Sequence, residues 1–227
     1  MAVLTVVSYN VYGARHRARL REAVVALAPD VLVVNETPKI PLVWRWQCNR
    51  LARSWGMRRA GGGRDAGSNM ICVSQRVQVV ATGARRLPQP RLKPRRGIVT
   101  AQCAVDGVQF AVVGVHLSLL DWSRPFEATE AVSDAAKLKG PLVLAGDLNE
   151  RPGKPAWRVF HRAGLLDFAD PSAFTSPVHA PTKRIDGLLV RNVRVLEHVV
   201  PQLPDGLLAE ASDHLPVLAR IVIGGAV

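Results

Sequence analysis

Short apolar runs separated by polar turns make up most of the chain, and their lengths predict many strands. Runs of apolar or β-branched residues that end at Gly, Pro, Asn or Asp are typical of buried strands. Ten runs fit this pattern, at residues 3–9, 30–36, 69–74, 78–84, 98–105, 108–117, 141–147, 185–190, 193–200 and 216–224. Only Asp106 and Gly107 separate the fifth run from the sixth, which predicts a tight hairpin turn.

Four other segments carry apolar residues at helical spacing and predict helices. They cover residues 15–28, 41–55, 124–138 and 155–162. In the first two, the positions expected to face inward are Leu20, Val24, Leu27, Leu42, Trp46 and Leu51. Strands and helices alternate early, strand pairs follow later, and no repeat or Ser/Gly linker divides the chain. The pattern predicts a mixed α/β fold with two sheets, in a single domain over residues 1–227.

Two segments between these elements are predicted as loops. Residues 60–69, "AGGGRDAGSN", are rich in glycine but lack the GxxxxGK pattern of a phosphate cradle, so a flexible surface loop is expected. Residues 85–97 place six basic residues among three prolines, which excludes a helix. Such a loop can hold Arg and Lys where they meet phosphates, or can simply be a solvated charged loop.

Positive charge is concentrated in the first part of the chain. The net charge is +12, yet residues 1–100 carry 18 Arg and Lys against 4 Asp and Glu, while residues 101–227 carry 12 against 14. This asymmetry suggests a polyanionic partner. The alternative is an Arg-rich genome, since 24 of the 30 basic residues are Arg.

Composition excludes several other classes of protein. With 48% hydrophobic residues, the chain can bury a sizeable core and is not expected to be disordered. No apolar run approaches the roughly 18 residues that a membrane span needs, and the N-terminus lacks the basic lead of a secretory signal. Cys48, Cys72 and Cys103 lack metal-ligand spacing and are expected to be buried thiols in a reduced compartment. We therefore expect a cytoplasmic protein that has no membrane contact.

Several predicted strands have a polar residue at the point where they end or begin. At strand ends these residues are Asn10, Glu36, His116, Asp147 and Asn149, and before or at strand starts they are Asp186, Asp213 and His214. Each alone could be an ordinary turn or terminal residue. If the strands share one edge of a pair of sheets, however, all of these side chains converge on one mouth.

The segments "SYNV", "NE", "GVHL", "GDLN", "RIDGLLV" and "SDH" stand in an order that resembles the endonuclease/exonuclease/phosphatase superfamily. The resemblance runs from about residue 3 to residue 222, and relatives include deoxyribonuclease I, abasic-site endonucleases, sphingomyelinases and inositol-polyphosphate phosphatases. It implies a four-layer fold, with two mixed sheets stacked face to face and helices outside. It also implies hydrolysis of a phosphate ester with a divalent metal, usually Mg²⁺, for which Mn²⁺ can substitute.

The resemblance also implies a metal site. Glu36 matches the metal-binding Glu of the family, Asn10 would be its neighbour, and Asp213 is a third acidic partner. These oxygen donors suit a hard cation, which prefers one or two carboxylates together with water and substrate oxygens.

The catalytic roles follow from the same resemblance. Asp147 would orient or deprotonate the attacking water, and Asn149 would hold the phosphate. His214 would bind phosphate as an imidazolium fixed by Asp186, although the sequence leaves open whether Asp147 or His214 takes the proton. His116 stands where nucleases of the family carry His or Tyr near the leaving group, and a donor role is expected there.

Three further residues, Asn69, Arg96 and Arg124, are candidates for contact with substrate. The chain departs from the family at Asn35, where many members have Gln, and in the short loop of residues 117–124. Extended insertions that grip DNA or contact membranes are therefore not expected.

The sequence supports three hypotheses of function. The first is a Mg²⁺-dependent nuclease or DNA/RNA phosphodiesterase, favoured by the basic N-terminal part, with nucleic acid as substrate and a monomeric enzyme. The second is a phosphatase or phosphodiesterase that acts on an inositol phosphate, a lipid headgroup or a nucleotide. The third, a non-catalytic nucleic-acid-binding module, is disfavoured because the full set of metal and base residues is present.

Overall fold

Two β-sheets form the centre of the computed structural model, which describes residues 1–224. The strands are β1 Ala2–Asn10, β2 Val31–Asn35, β3 Arg58–Gly63, β4 Asn69–Val73, β5 Gln78–Leu87, β6 Arg96–Val105, β7 Val108–His116, β8 Leu142–Asp147, β9 Asp186–Arg191, β10 Arg194–Val199 and β11 Val217–Ile223. The α-helices are α1 Arg17–Leu27, α2 Trp44–Ser54, α3 Arg124–Ala135, α4 Pro155–Arg162 and α5 Leu207–Ala211. One sheet has the order β10-β11-β1-β2-β4-β3 and the other the order β5-β6-β7-β8-β9.

Three apolar cores define four layers. The central core lies between the sheets and includes Val33 of the six-stranded sheet with Val99 and Val112 of the five-stranded sheet. A second core joins the outer face of the six-stranded sheet to α1, α2 and α5. The third joins the outer face of the five-stranded sheet to α3 and α4, where Trp157 and Phe160 are fully buried. The implied sandwich of two mixed sheets with helices outside is confirmed.

Strand direction brings the polar strand ends to one edge of the molecule. Strand β1 runs parallel to β2, and β7 runs parallel to β8, so the carboxyl ends of each pair leave their sheet together. The two edges meet, because the side chain of Asn10 at the end of β1 contacts Asp147 at the end of β8. The site is therefore shared between the two sheets.

The apolar pattern locates all ten predicted strands and all four predicted helices, with shifts at their ends. The pattern does not predict helix α5 or strand β3. Helix α5 has only five residues, which is too short for helical periodicity to appear. Strand β3 has the sequence "RRAGGG" and lacks the apolar pattern of a strand, because glycine carries no side chain.

The prediction of a flexible surface loop at residues 60–69 is wrong. Gly61, Gly62 and Gly63 belong to β3, which pairs with β4, and a short 3-10 turn then leads into β4 at Asn69. The glycines are needed for close packing. A Cβ on Gly62 would lie 2.3 Å from the carbonyl oxygen of Asn69, and one on Gly63 would lie 2.3 Å from the ring of Trp44.

The loop predicted at residues 85–97 is shorter than expected. Strand β5 continues to Leu87 and β6 already begins at Arg96, so the loop covers only residues 88–95. Arg85 fits inside a strand because its guanidinium bonds to the carboxylates of Asp134 and Glu130 on α3.

The inward positions predicted for α2 are partly wrong. Leu42 is 98% exposed and Trp46 is 59% exposed, whereas Leu51 is buried as expected. The helix begins at Trp44, and its buried face carries Trp44, Cys48 and Leu51 at a helical spacing that excludes Leu42 and Trp46. For the first helix, the predicted inward positions Leu20, Val24 and Leu27 are all buried.

All three cysteines are free and buried, as expected from the sequence. Burial raises the pKa of the Cys103 thiol to about 11 and raises the pKa values of the Cys48 and Cys72 thiols as well. Among residues 1–224, no helix is both long and apolar enough to span a bilayer.

The glycine strand makes a stability prediction. We expect Gly62→Ala to unfold at a lower urea concentration than Gly107→Ala, with a difference in free energy of unfolding of about 1–3 kcal/mol. Both glycines have positive φ, at 78° each, but a Cβ on Gly107 meets nothing within 4 Å. The matched pair separates steric clash from backbone strain, and equal stability of the two variants would contradict the packing described.

Candidate active site

The residues that the sequence assigns to chemistry lie where strands of the two sheets end side by side. In the six-stranded sheet Asn10 is paired with Asn35, and in the five-stranded sheet Asp147 is paired with His116 on one side and Asp186 on the other. Because the registers fix these pairs, the backbone itself holds Asp147 between a histidine and a second carboxylate.

Two amides connect the sheets at Asp147. The side-chain amide of Asn10 donates to Oδ2 of Asp147 at 3.1 Å. The side-chain oxygen of Asn35 accepts the backbone N–H of Asp147 at 2.8 Å, while its NH₂ group donates to the carbonyl of Val115 at 2.7 Å and to Oδ1 of Asn69 at 2.9 Å. Asn35 is completely buried, so these bonds are not exchanged with water.

Asp147 itself is buried among ionisable groups. Its Oδ2 lies 3.3 Å from Nε2 of His116 and 4.0 Å from Nε2 of His214. Burial, followed by the negative charge of Asp186, raises the pKa of Asp147 to about 7, even though His214 acts to lower it. A carboxylate with a pKa near neutrality is suited to accept a proton and release it.

The two histidines of the site carry different charges. Burial, then the positive charge of Arg96, lowers the pKa of His116 well below 6.5, so its ring is neutral. Burial would also lower the pKa of His214, but the charge and hydrogen bond of Asp186, whose Oδ2 lies 2.8 Å from His214 Nδ1, raise it to about 10. The site therefore contains a neutral imidazole on one side of Asp147 and an imidazolium on the other.

Asn149 has a structural connection as well as its predicted role. Its φ is 49°, and this left-handed turn lets its N–H donate to Oδ1 of Asp147 at 2.9 Å. Its side-chain NH₂ donates to the carbonyl of Leu117 at 2.9 Å, which ties the loop after β7 to the loop after β8. One N–H of the NH₂ group is thus already used within the protein.

Arg96 and Asn69, both predicted to contact substrate, differ in their surroundings. Arg96 is 6% exposed, and its guanidinium has no hydrogen bond or ion pair among residues 1–224. Burial lowers its pKa, while the nearby charges of Asp147 and Glu36 act to raise it. Asn69 is fully buried, with its oxygen accepting from Asn35 and its NH₂ donating to the carbonyl of Gly97 at 2.7 Å, so it lies between the sheets behind the site.

Arg124 is largely engaged within the protein. Its guanidinium donates to Glu150 at 3.2 Å, to the carbonyls of Ser118 and Leu119 at 3.2 Å each, and to Asp121 at 2.5 Å. With these bonds, Arg124 fastens the loop after β7 to the segment after β8, and its charge is balanced by two carboxylates.

The predicted metal ligands do not form one tight group. Within residues 1–224, the cluster of ligand atoms that lie within 4.8 Å of one another comes from Asp147, Asp186 and His214. Asp213 is exposed, and its carboxylate accepts a 3.4 Å bond from the hydroxyl of Ser212. Glu36 is half-buried directly after β2.

The donor chemistry fits a hard divalent cation. Oδ1 of Asp186 is buried without a hydrogen-bond partner among the described residues, so one carboxylate oxygen of the cluster is available for a ligand. His214 is protonated in its pair with Asp186 and has no lone pair to offer. The donors of the site are therefore carboxylate and amide oxygens, as Mg²⁺ and Mn²⁺ prefer.

Asn35 is the residue of the site whose importance sequence reasoning missed. In the sequence it stands out only as a departure from Gln in the family pattern. The available signal was its position, since an amide directly after "VLVV" in a fully buried strand needs internal partners for both ends.

The comparisons with known proteins agree with this geometry. A family model described as the endonuclease/exonuclease/phosphatase family matches residues 7–214. The chain is similar in structure to an endonuclease/exonuclease/phosphatase from Bacteroides vulgatus, with a TM-score of 0.81 and 15% identity over 99% of this chain and 100% of that chain. No curated protein sequence matches.

Two other similar structures are described by activity or ligand. One is a mannosyl-6-phosphatase from Bacteroides thetaiotaomicron, with a TM-score of 0.77 and 19% identity over 97% of this chain and 100% of that chain. The other is D. rerio TDP2 complexed with a single-strand DNA product, with a TM-score of 0.73 and 16% identity over 98% and 100% of the two chains. At these identities the likeness establishes the fold.

The His214–Asp186 pair predicts a titration. In protein freed of divalent metal, NMR of the ring should show His214 protonated at pH 8, because its pKa is raised to about 10. In Asp186→Asn the largest cause that raises the pKa of His214 is lost, and the ring should lose its proton at a clearly lower pH than in wild type. The pair stabilises the fold fully below pH 6.5, and this contribution is lost as pH rises through about 10. An unchanged titration in Asp186→Asn would contradict the assignment.

The amide bridge predicts a second effect. Asn35→Asp keeps an acceptor for the N–H of Asp147. It replaces the NH₂ donor with a carboxylate oxygen, which then faces two other acceptors, Asn69 Oδ1 and the Val115 carbonyl. We expect it to lower the free energy of unfolding by about 2–5 kcal/mol in urea titrations. The isosteric control Asn192→Asp changes an exposed residue and should stay within about 0.5 kcal/mol of wild type. Similar stability of the two variants would show that Asn35 does not connect the sheets.

Proposed function

Because this chain belongs to the endonuclease/exonuclease/phosphatase family and is therefore a phosphoric ester hydrolase, we propose that it is a phosphodiesterase that cleaves nucleic acid with a divalent metal ion. Hydrolysis of a phosphodiester needs an activated water, neutralised charge on the phosphoryl oxygens and help for the leaving oxygen. The proposed roles follow from the charge state of each group at the site.

Asp147 is the proposed base. Its pKa is raised to about 7, so it can accept a proton and release it near neutral pH. A hydrogen bond from its backbone to Asn35 and one from Asn10 to its side chain hold it in place. His214 is protonated at neutral pH and cannot accept the proton of water, which supports Asp147 in that role and leaves His214 to bind the phosphoryl oxygens as a cation.

His116 and Asn149 are the proposed donors. His116 is neutral, so one of its ring nitrogens carries a hydrogen, and Nδ1 has no partner among the described residues. A neutral imidazole can donate to a phosphoryl oxygen or to the leaving oxygen without adding charge. The second N–H of the Asn149 side chain is available for another phosphoryl oxygen.

We propose that Glu36 and Asn10, at the ends of β2 and β1, hold a Mg²⁺ ion together with Oδ1 of Asp186, and that Asp213 is a more distant acidic neighbour. When bound, the ion supplies positive charge that offsets the charge of the phosphoryl oxygens. The unpartnered Oδ1 of Asp186 supports this assignment.

The observation that favours nucleic acid is a basic cavity lined in part by the segment that follows β2. It has a volume of about 240 Å³ and is lined by Lys39, Arg64 and Arg95. None of the three has an ion-pair partner among the side chains that the structure describes. The charge of Lys39 reaches the site, because it contributes to the low pKa of His116. Three uncompensated cations beside the site suit a chain of phosphates better than a single one. D. rerio TDP2, a similar structure, is described with a single-strand DNA product.

A substrate panel tests the proposal. With Mg²⁺ or Mn²⁺, we expect cleavage of single-stranded or duplex oligonucleotides, and its loss in EDTA. Asp147→Asn should lower kcat by about 10²–10⁴-fold, because it removes the base while keeping the side-chain shape. Mannose 6-phosphate and inositol phosphates complete the panel, since a mannosyl-6-phosphatase has the same fold.

The role of the basic cavity is tested by removing one of its charges, with a distant arginine as the control. Arg95→Gln should raise KM for oligonucleotides and reduce the slope of log KM against log salt by about one. Arg194→Gln removes an exposed cation from the start of β10, at the far end of the sheet, and should change neither quantity. Turnover of sugar or inositol phosphates with no cleavage of any nucleic acid would overturn the nuclease proposal and leave the hydrolase.

A further inference from the structure

A second basic pocket has Asn149 of the site in its lining. Its volume is about 440 Å³, and Asn149, Arg151, Lys154, Lys183 and Ile185 contribute to its lining. We call it the lysine pocket. Arg151, Lys154 and Lys183 belong to none of the motifs in the sequence, and the proposed chemistry does not use them.

The position of the lysine pocket is fixed by the strands that carry the site. One wall is the segment that follows β8, so Arg151 comes four residues after Asp147, and the other wall leads into β9, so Lys183 comes three residues before Asp186. At about 3.3 Å per residue, Lys183 can lie no more than about 10 Å along the chain from Asp186. The pocket is therefore within one or two nucleotide units of the reacting group.

Two hydrogen bonds hold the walls of the pocket together. The backbone N–H of Leu148 donates to the carbonyl of Ile185 at 2.8 Å, and Nη2 of Arg151 donates to the carbonyl of Thr182 at 3.1 Å. The pocket is formed before any ligand arrives, which lowers the entropy cost of binding.

The charges of the lysine pocket are only partly balanced. Arg124, Glu150 and Asp121 also line it, but they form ion pairs with one another. Lys154, Lys183 and Arg151 are exposed and have no acidic partner among the residues that the structure describes. The pocket thus presents excess positive charge to solvent beside Asn149, which the proposed function places at the phosphoryl group.

We propose that the lysine pocket binds a second phosphate of the substrate, one that flanks the phosphodiester being hydrolysed, and that Lys154 and Lys183 determine this preference. The inference rests on the proposed nuclease function and makes it more specific. It implies that the enzyme acts on chains with at least two phosphates in preference to an isolated phosphodiester. Lysine suits such a contact, because a flexible ammonium group follows a phosphate as a point charge without a fixed geometry.

The test uses three small substrates and Mg²⁺. TpT has one internal phosphodiester and no other phosphate, whereas pTpT and TpTp add a phosphate at the 5′ or 3′ end. We expect wild-type enzyme to cleave one of the phosphorylated compounds with a kcat/KM at least about tenfold above that of TpT, mainly through KM. Lys154→Gln and Lys183→Gln should each remove most of that preference while cleaving TpT within about twofold of wild type.

Two controls make the result specific. Lys154→Arg keeps the charge and should retain the preference. Lys139→Gln removes an exposed lysine that precedes β8 at the opposite end of the strand, and should behave as wild type on all three substrates.

The outcomes are distinguishable. Equal kcat/KM on the three substrates in wild type, or equal losses on TpT and on the preferred compound in both glutamine variants, would overturn the lysine pocket and leave the nuclease proposal intact. No cleavage of any of the three, nor of longer oligonucleotides, by enzyme that hydrolyses another phosphoric ester would overturn both.

Discussion

The site depends on a buried hydrogen-bonded amide that joins two separate sheets. Asn35 is the last residue of β2. Its side-chain oxygen accepts the N–H of Asp147 from the opposite sheet. Its NH₂ group donates to the carbonyl of Val115 in that sheet and to Oδ1 of Asn69 in its own sheet. The apolar core packs the sheets face to face, and the bonds of Asn35 set their relative position at this edge. Directional bonds fix a geometry that non-directional apolar packing leaves loose.

On that fixed edge, identical residue types acquire different properties. His116 and His214 flank the same carboxylate, yet one ring is neutral and the other charged. Burial lowers the pKa of both rings, and the charge of Arg96 lowers that of His116 further, whereas the charge and hydrogen bond of Asp186 raise that of His214. Basic residues divide in the same way. Arg124 is balanced by carboxylates within the fold, so its charge contributes little to the attraction of a polyanion.

Most of the strands and the polar residues at their termini could be predicted from the sequence. Each such strand is a run of apolar or β-branched residues next to a polar residue, and this pattern can be recognised in the sequence alone. The sequence predicted that polar residues at strand termini converge if the strands share one edge, and Asn10, Asp147 and Asp186 do lie together there. The pair of His214 with Asp186 was expected from the resemblance to the family and is present, but other partners distant in sequence could not be predicted. The partners of Arg124 and Asn35 depend on side-chain geometry across layers, and β3 lacks the apolar side chains by which a strand is recognised.

The three cysteines have a practical consequence. All are buried in the apolar cores, with thiol pKa values raised by burial, so almost no thiolate meets solvent at neutral pH. Maleimide dyes react with thiolates, so the native cysteines of the folded protein should be labelled very slowly. A single cysteine engineered on an exposed loop could carry a fluorophore without removal of the natural ones, which opens the binding steps of this enzyme to stopped-flow and single-molecule spectroscopy.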